Sequence, residues 1–187
     1  MPDGDAGKVP AAGARHPLTD GAEVDISARQ ALTSKAFWHI APAFMCQIMV
    51  INAVVVHVMP YLSTVGISRA SSSLVASAIP VASILGRISS GWFADRLDKK
   101  RAAATGFVLT GLGLLLFSLL SPERLWVIPP FLVLFGIGWG ASVTMRVALL
   151  REHFGRKIFG TVHGFTLGVT MVGNIAGPPL AGWVYDK

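Results

Sequence analysis

Cysteine is almost missing from this sequence: Cys46 is the only one in 187 residues. An internal disulfide and a cysteine metal cluster are therefore excluded. Charge is scarce as well. Asp, Glu, Lys and Arg make up 14% of the chain, against roughly 25% in soluble domains. No aspartate or glutamate falls inside any of the long apolar runs. There is no G-x-S-x-G elbow, no H-E-x-x-H pair and no phosphate-cradling P-loop, so no enzyme is indicated and no cofactor is expected. The segment before Lys35 has no apolar core, which excludes a cleaved signal peptide there. The net charge is +6, but the basic residues gather at the ends of apolar runs. No basic face is interleaved with aromatics for stacking bases, so nucleic acid is not an expected partner.

What is present is apolar length. Hydrophobic residues make up 52% of the chain and the mean hydropathy is +0.59. This is the composition of an all-α integral membrane protein in a lipid bilayer. Residues 1–35 are polar, rich in Pro, Gly and Ala, and mixed in charge. They cannot bury a core and are expected to be disordered. Within their last part a short surface helix is predicted over 25–32, with Ser27 or Asp25 as its cap. Five spans then follow, over 36–61, 71–94, 102–120, 125–150 and 158–185. Each meets the roughly 20 residues that a bilayer requires, and the short connections make successive spans antiparallel.

Basic residues set the orientation. The loop 95–101 carries Arg96, Lys99, Lys100 and Arg101, and the loop 151–157 carries Arg151, Arg156 and Lys157. The other two loops carry only Arg69 and Arg124. The positive-inside rule places the first pair, and the N-terminus, in the cytoplasm, consistent with a multi-pass protein of the cell membrane.

Between the second and third spans stands Gly91-Trp92-Phe93-Ala94-Asp95-Arg96-Leu97-Asp98-Lys99-Lys100. It resembles the signature loop of the major facilitator superfamily: glycine, three residues, aspartate, a basic residue, any residue, glycine or asparagine, then two basic residues. Asp98 departs from the pattern, but aspartate tolerates turn conformations. Gly91 is expected to let another backbone approach. Asp95 closes its own helix at the end where the macrodipole disfavours an anion. It is therefore expected to bridge to the start of the fifth span, near Gly160 and Thr161. Gly177-Pro178-Pro179-Leu180-Ala181-Gly182, His153-Phe154-Gly155-Arg156 with Gly160 beyond, and Phe37-Trp38 resemble the monocarboxylate and oxalate–formate branch of the same family. The resemblance covers residues 31–186. It implies that the five spans correspond to helices seven to eleven of a twelve-helix transporter, a partial C-terminal bundle over 36–187. A six-helix N-terminal bundle would then be a missing partner.

Glycines recur in steps of four at Gly160, Gly164 and Gly168, at Gly173 and Gly177, and at Gly136 and Gly140. This spacing permits close helix packing. Gly177-Pro178-Pro179 removes two consecutive backbone donors, so the fifth span is expected to kink or loosen there.

Polar groups inside a bilayer are costly and mark function. Arg87 lies about two turns from the cytoplasmic end of the second span. The resemblance places there an arginine implicated in binding substrate carboxylate, and a guanidinium can grip a carboxylate through two parallel hydrogen bonds. Snorkelling to the surface is the competing reading. One turn earlier, where some relatives carry an acid, stands Ser83. Arg146 is a second candidate, also in reach of the cytoplasmic surface. Gln47, Asn52 and His57 rotate by about 140° at each step of five residues and share no face, so at most one or two line a cavity. His57 and His163 can carry protons near neutral pH, and Asn174 suits a helix–helix hydrogen bond. The substrate-binding candidates are thus Arg87, Arg146, His57 and Asn52. Gly91, Asp95, Arg96, Lys99 and Lys100 form the conformational motif.

The reading that follows is one half of a facilitator-type secondary transporter working by alternating access, with a small organic anion such as a monocarboxylate as substrate. The alternatives are an efflux carrier of another small molecule, and a non-transporting membrane protein that binds a partner bundle through its glycine faces.

Overall fold

A computed structural model describes residues 27–94 and 98–186. The tail before Ser27, and with it the expectation of disorder, lies outside the described residues, as do Asp95 and Arg96 of the signature loop. The described residues are helical, with no strand among them. Six α-helices follow in order: α1 (Ala28–Thr33), α2 (Lys35–Thr64), α3 (Arg69–Ala94), α4 (Lys99–Ser118), α5 (Ile128–Phe154) and α6 (Phe159–Tyr185).

Local chemistry explains where each begins and ends. Ser27 precedes α1, and its N–H donates to Gln30 Oε1 at 3.1 Å. Ser34 joins α1 to α2: its hydroxyl donates to the Ala31 carbonyl at 2.6 Å and accepts from Phe37 N at 3.2 Å. The turn after α2 uses Gly66 at φ 90°, and α5 ends at Gly155 with φ 72°. Both are left-handed positions suited to glycine. Asp98, the departure from the family pattern, is the N-cap of α4 and accepts from Lys100 N at 2.9 Å. Aspartate is among the best residues for that role. A 3₁₀ turn, Leu125–Val127, leads into α5. Pro129 and Pro130 sit in the first turn of α5, where a missing N–H costs no helical bond.

Four helical stretches are long and apolar enough to cross a membrane: Lys35–Thr64, Arg69–Trp92, Lys99–Ser118 and Leu125–Phe154. α6 is just as long, at 27 residues, but it is not among the four. Its glycines, His163, Asn174 and two prolines dilute the apolar content. It also remains one continuous helix through Gly177-Pro178-Pro179, where a kink or loosening was expected. The carbonyl of Pro178 is held there by His57 Nε2 at 2.9 Å.

α5 lies between α3 and α4, and α2 packs along α6. Small residues determine these pairings. On α5, Gly136 faces Ile79 and Ala82 of α3, and Gly140 faces Ser83 and Arg87. Gly86 of α3 answers against the backbone of Ile137. These contacts advance together, so α3 and α5 run parallel. Gly138 turns the other way, towards Thr110 and Gly106 of α4, and Gly113 of α4 meets Phe135. On α6, Gly173 and Gly177 lie on the backbones of Met45 and Met49.

Two glycine expectations are not met among the described residues. A methyl group at Gly91 would meet nothing within 4 Å. The close approach belongs instead to Gly86, and five residues on, the helix has turned about 140°. Gly160, Gly164 and Gly168 likewise meet nothing within 4 Å. Only the later pair on α6 packs, because α2 crosses α6 at Gly173 and Gly177.

The largest apolar cluster joins Ile51, Val54, Val58 and Leu62 of α2 to Ile79, Phe131 and Phe135. A second, at the other end, gathers Ala31, Phe37, Ala41, Leu150, Phe154 and Val162. Elsewhere the outward face is apolar: Leu74, Val81, Ile84, Leu85 and Ile88 on α3, and Val108, Leu112 and Leu115 on α4, are exposed. Faces of this kind suit hydrocarbon, where a helix satisfies most of its backbone groups along its own segment.

Candidate substrate-facing site

Three helices meet at Ser142. Its hydroxyl donates to the Gly138 carbonyl at 2.6 Å and accepts a buried hydrogen bond from Gln47 Nε2 of α2. A methyl at Gly106 of α4 would stand 2.9 Å from the same oxygen. The absence of a side chain at Gly106 thus leaves room for this polar pair.

One turn further along α5 stands Arg146. It lines a hollow between α2 and α5 with Phe44, Gln47, Ile48, Trp139 and Ser142. Its Nε is buried and has no hydrogen-bond partner among the described residues. The hollow is small, about 10 Å³, which is room for about one water molecule.

Arg87 takes a different position. Its backbone N borders Gly140, where a methyl would come within 2.8 Å, while its side chain is exposed. Ser83, one turn earlier, is buried, and its hydroxyl donates to the Pro80 carbonyl at 2.7 Å. The one ion pair among the described residues lies elsewhere, between Lys99 Nζ and Glu152 Oε2 at 3.1 Å. Neither Arg87 nor Arg146 therefore faces a carboxylate there.

The remaining candidates are not brought to this site. Asn52 donates to the Ile48 carbonyl of its own helix at 3.0 Å. His57 sits near the other end, on the Pro178 carbonyl. It lines a separate cavity of about 580 Å³ between α2, α4 and α6, together with Pro60, Tyr61, Leu114, Phe117 and Gly182. Gly91 is half-buried. Lys99 is tied to Glu152, and Lys100 contributes its backbone N–H to the Asp98 cap.

Sequence reasoning missed Ser142 and Glu152. A serine in a span carries little signal, because it can satisfy itself on its own helix. The available clue was Gln47, a span amide that needs a partner on another helix. Glu152 is the one acid in the basic loop 151–157, and Lys99 opens the helix that packs beside it.

The sequence model of the Major Facilitator Superfamily matches residues 2–178. Monocarboxylate transporter 12-B of Danio rerio is 31% identical over 134 residues, which are 70% of this chain and 28% of that protein. Monocarboxylate transporter 12 of Xenopus laevis is 29% identical over 135 residues, 70% of this chain and 29% of that protein. A gentisate transporter of Corynebacterium glutamicum is 25% identical over 121 residues, 65% of this chain and 27% of that protein. The chain spans less than a third of the length of these relatives. It is a multi-pass membrane protein, and it belongs to the Major Facilitator Superfamily.

Proposed function

We propose that this chain forms part of a secondary transporter that carries a small organic anion, of monocarboxylate type, by alternating access. The observation that carries the reading is a pair of span arginines, Arg87 and Arg146, with no carboxylate partner among the described residues. A charged side chain at the centre of a span costs about 2.5–3.5 kcal/mol on insertion scales. Such a group needs water, lipid phosphate, an acid from another bundle, or a bound anion. The relatives named above support the last, since they are named for carboxylates.

In this reading α2 to α6 are five spans corresponding to helices seven to eleven, with the N-terminus in the cytoplasm. An N-terminal six-helix bundle would face the exposed side chain of Arg87 and the open glycines of α6. A twelfth helix would fill the apolar cavity between α2, α4 and α6. The site would then sit between bundles, near the bilayer midplane.

Arg87 is the residue expected to grip the anion. In an assembled transporter containing this segment, Arg87→Lys should weaken uptake of a radiolabelled monocarboxylate, because lysine keeps the charge but loses the two-pronged geometry. Arg87→Gln should nearly abolish it. Wild-type uptake by both variants, at equal membrane expression, would remove Arg87 from the site.

A further inference from the structure

The chain has five tryptophans, and they are not placed as core residues. Trp139 lies well inside its helix, partly buried against the largest apolar cluster. The other four stand within a few residues of a helix end, and each is more than half exposed: Trp38 at 61%, Trp92 at 55%, Trp126 at 69% and Trp183 at 59%. Trp38 opens α2, at the end where Phe37 and Phe154 share a cluster. Trp92 closes α3, which runs parallel to α5 and so ends on that same side. Trp126 leads into α5 at the opposite end, where Leu62 and Val127 share a cluster. Trp183 closes α6, which runs parallel to α2 and also ends there. Exposed bases flank three of the four: Lys35 before Trp38, Lys100 beyond Trp92 and Arg124 before Trp126.

The crossing of α3 and α5 fixes how far apart the two ends are. Arg87 N borders Gly140. Trp92 lies five residues beyond Arg87, and Trp126 lies fourteen residues before Gly140. The helices are parallel, so at about 1.5 Å per residue Trp92 and Trp126 stand about 28 Å apart along the axes. The hydrocarbon core of a bilayer is about 30 Å thick. An indole in water leaves a large apolar ring hydrated, and one deep in hydrocarbon leaves its polar edge unsolvated. The boundary between acyl chains and headgroups suits both parts. We propose that the four exposed tryptophans anchor this bundle to phospholipid in two layers: Trp38 and Trp92 at one headgroup boundary, Trp126 and Trp183 at the other. Each ring lies among the first methylenes of the acyl chains, with its polar edge towards the ester carbonyls and phosphates. The flanking bases stand on the aqueous side, where their long side chains reach the phosphates. The proposal uses the membrane assignment alone and depends on neither the substrate nor Arg87.

The test is depth-dependent fluorescence quenching on the full chain in phosphatidylcholine vesicles. Each variant keeps one tryptophan and carries Phe at the other four positions. Lipids bearing a nitroxide near the headgroup or near the end of the acyl chain are the shallow and deep quenchers, and acrylamide is the aqueous one. Emission from Trp38, Trp92, Trp126 and Trp183 should be lost more to the shallow lipid than to the deep one. Trp139 should lose less to the shallow lipid than any of these four. A tryptophan quenched more by the deep lipid lies within the hydrocarbon. One reached only by acrylamide lies in water, and one shielded from all three quenchers lies against protein. Any of these results, at any of the four positions, would overturn the proposal. If the multiply substituted chains do not fold, single replacements in the wild-type background give the same answer. Trp38→Phe, Trp92→Phe, Trp126→Phe and Trp183→Phe should each lower the share of emission that the shallow lipid quenches, and Trp139→Phe should raise it. The opposite pattern would overturn the assignment of the two layers.

Discussion

Replacing Gly140 by alanine should force α3 away from α5. The added methyl would stand 2.8 Å from Arg87 N and 2.8 Å from the Ser83 carbonyl carbon, with the Ser83 oxygen closer still. Comfortable contacts between heavy atoms begin near 3.5 Å. The two backbones must therefore part by more than about 0.7 Å at this crossing, 3.5 less 2.8, and neither can yield by a rotamer change. Overpacking of this kind costs about 1–3 kcal/mol, while alanine returns about 0.8–1.0 kcal/mol of helix propensity. The difference is a net loss of up to about 2 kcal/mol, toward the upper end because both partners are backbone. Gly111, with nothing within 4 Å of its would-be methyl, is the control, because Gly111→Ala gains propensity without a clash. Thermal unfolding followed by circular dichroism in one detergent should place Gly140→Ala below wild type and Gly111→Ala at or above it. Gly86→Ala attacks the same crossing from the α3 side. The double variant with Gly140→Ala should lose less than the sum, since helices already parted accommodate a second methyl more easily. Equal stability of Gly140→Ala and Gly111→Ala would show that the crossing is not held by these glycines.

Two further outcomes can be read in the same unfolding assay. Asp98→Ala should cost about 1 kcal/mol by removing the cap of α4, and Asp98→Asn should cost almost nothing. A double-mutant cycle on Lys99→Ala and Glu152→Ala should give a coupling under about 1 kcal/mol, because the pair is substantially exposed, and high salt should shrink it further.

Helix limits were legible because charge and turn residues interrupt the apolar runs. The observed helices begin and end within a few residues of the expected limits. α5 outlasts its apolar run as far as Phe154, since Arg151, Glu152 and His153 continue a helix perfectly well outside hydrocarbon. Which helices pair was not legible. A four-residue glycine step indicates that a face could pack, but not what would pack on it. Gly136 and Gly140 found α3, Gly173 and Gly177 found α2, and Gly160, Gly164 and Gly168 found nothing within the described residues. Of the candidate site, the arginines stood out in the sequence because a charge in a span is rare. The Gln47–Ser142 bond did not, because it joins residues 95 positions apart and needs the room left by Gly106 of a third helix.

The azimuth of α5 separates the two arginines. Gly136 and Gly140 form the face that receives α3, and Arg87 enters the structure there through its backbone. Gly138 and Ser142 form a second face, fixed by Thr110 and Gly106 of α4 and by Gln47 of α2. Arg146 continues that second face, four residues beyond Ser142. Six residues separate Gly140 from Arg146, which is a rotation of about 240° one way or 120° the other. A bulky residue at 136 or 140 would push α3 away, and one at 138 would push α4 away, so neither face can rotate to merge with the other. The Arg146 side chain consequently leaves α5 on a different side from the face that Arg87 of α3 borders. The Arg87 side chain is exposed, while Arg146 lines the hollow beside α2.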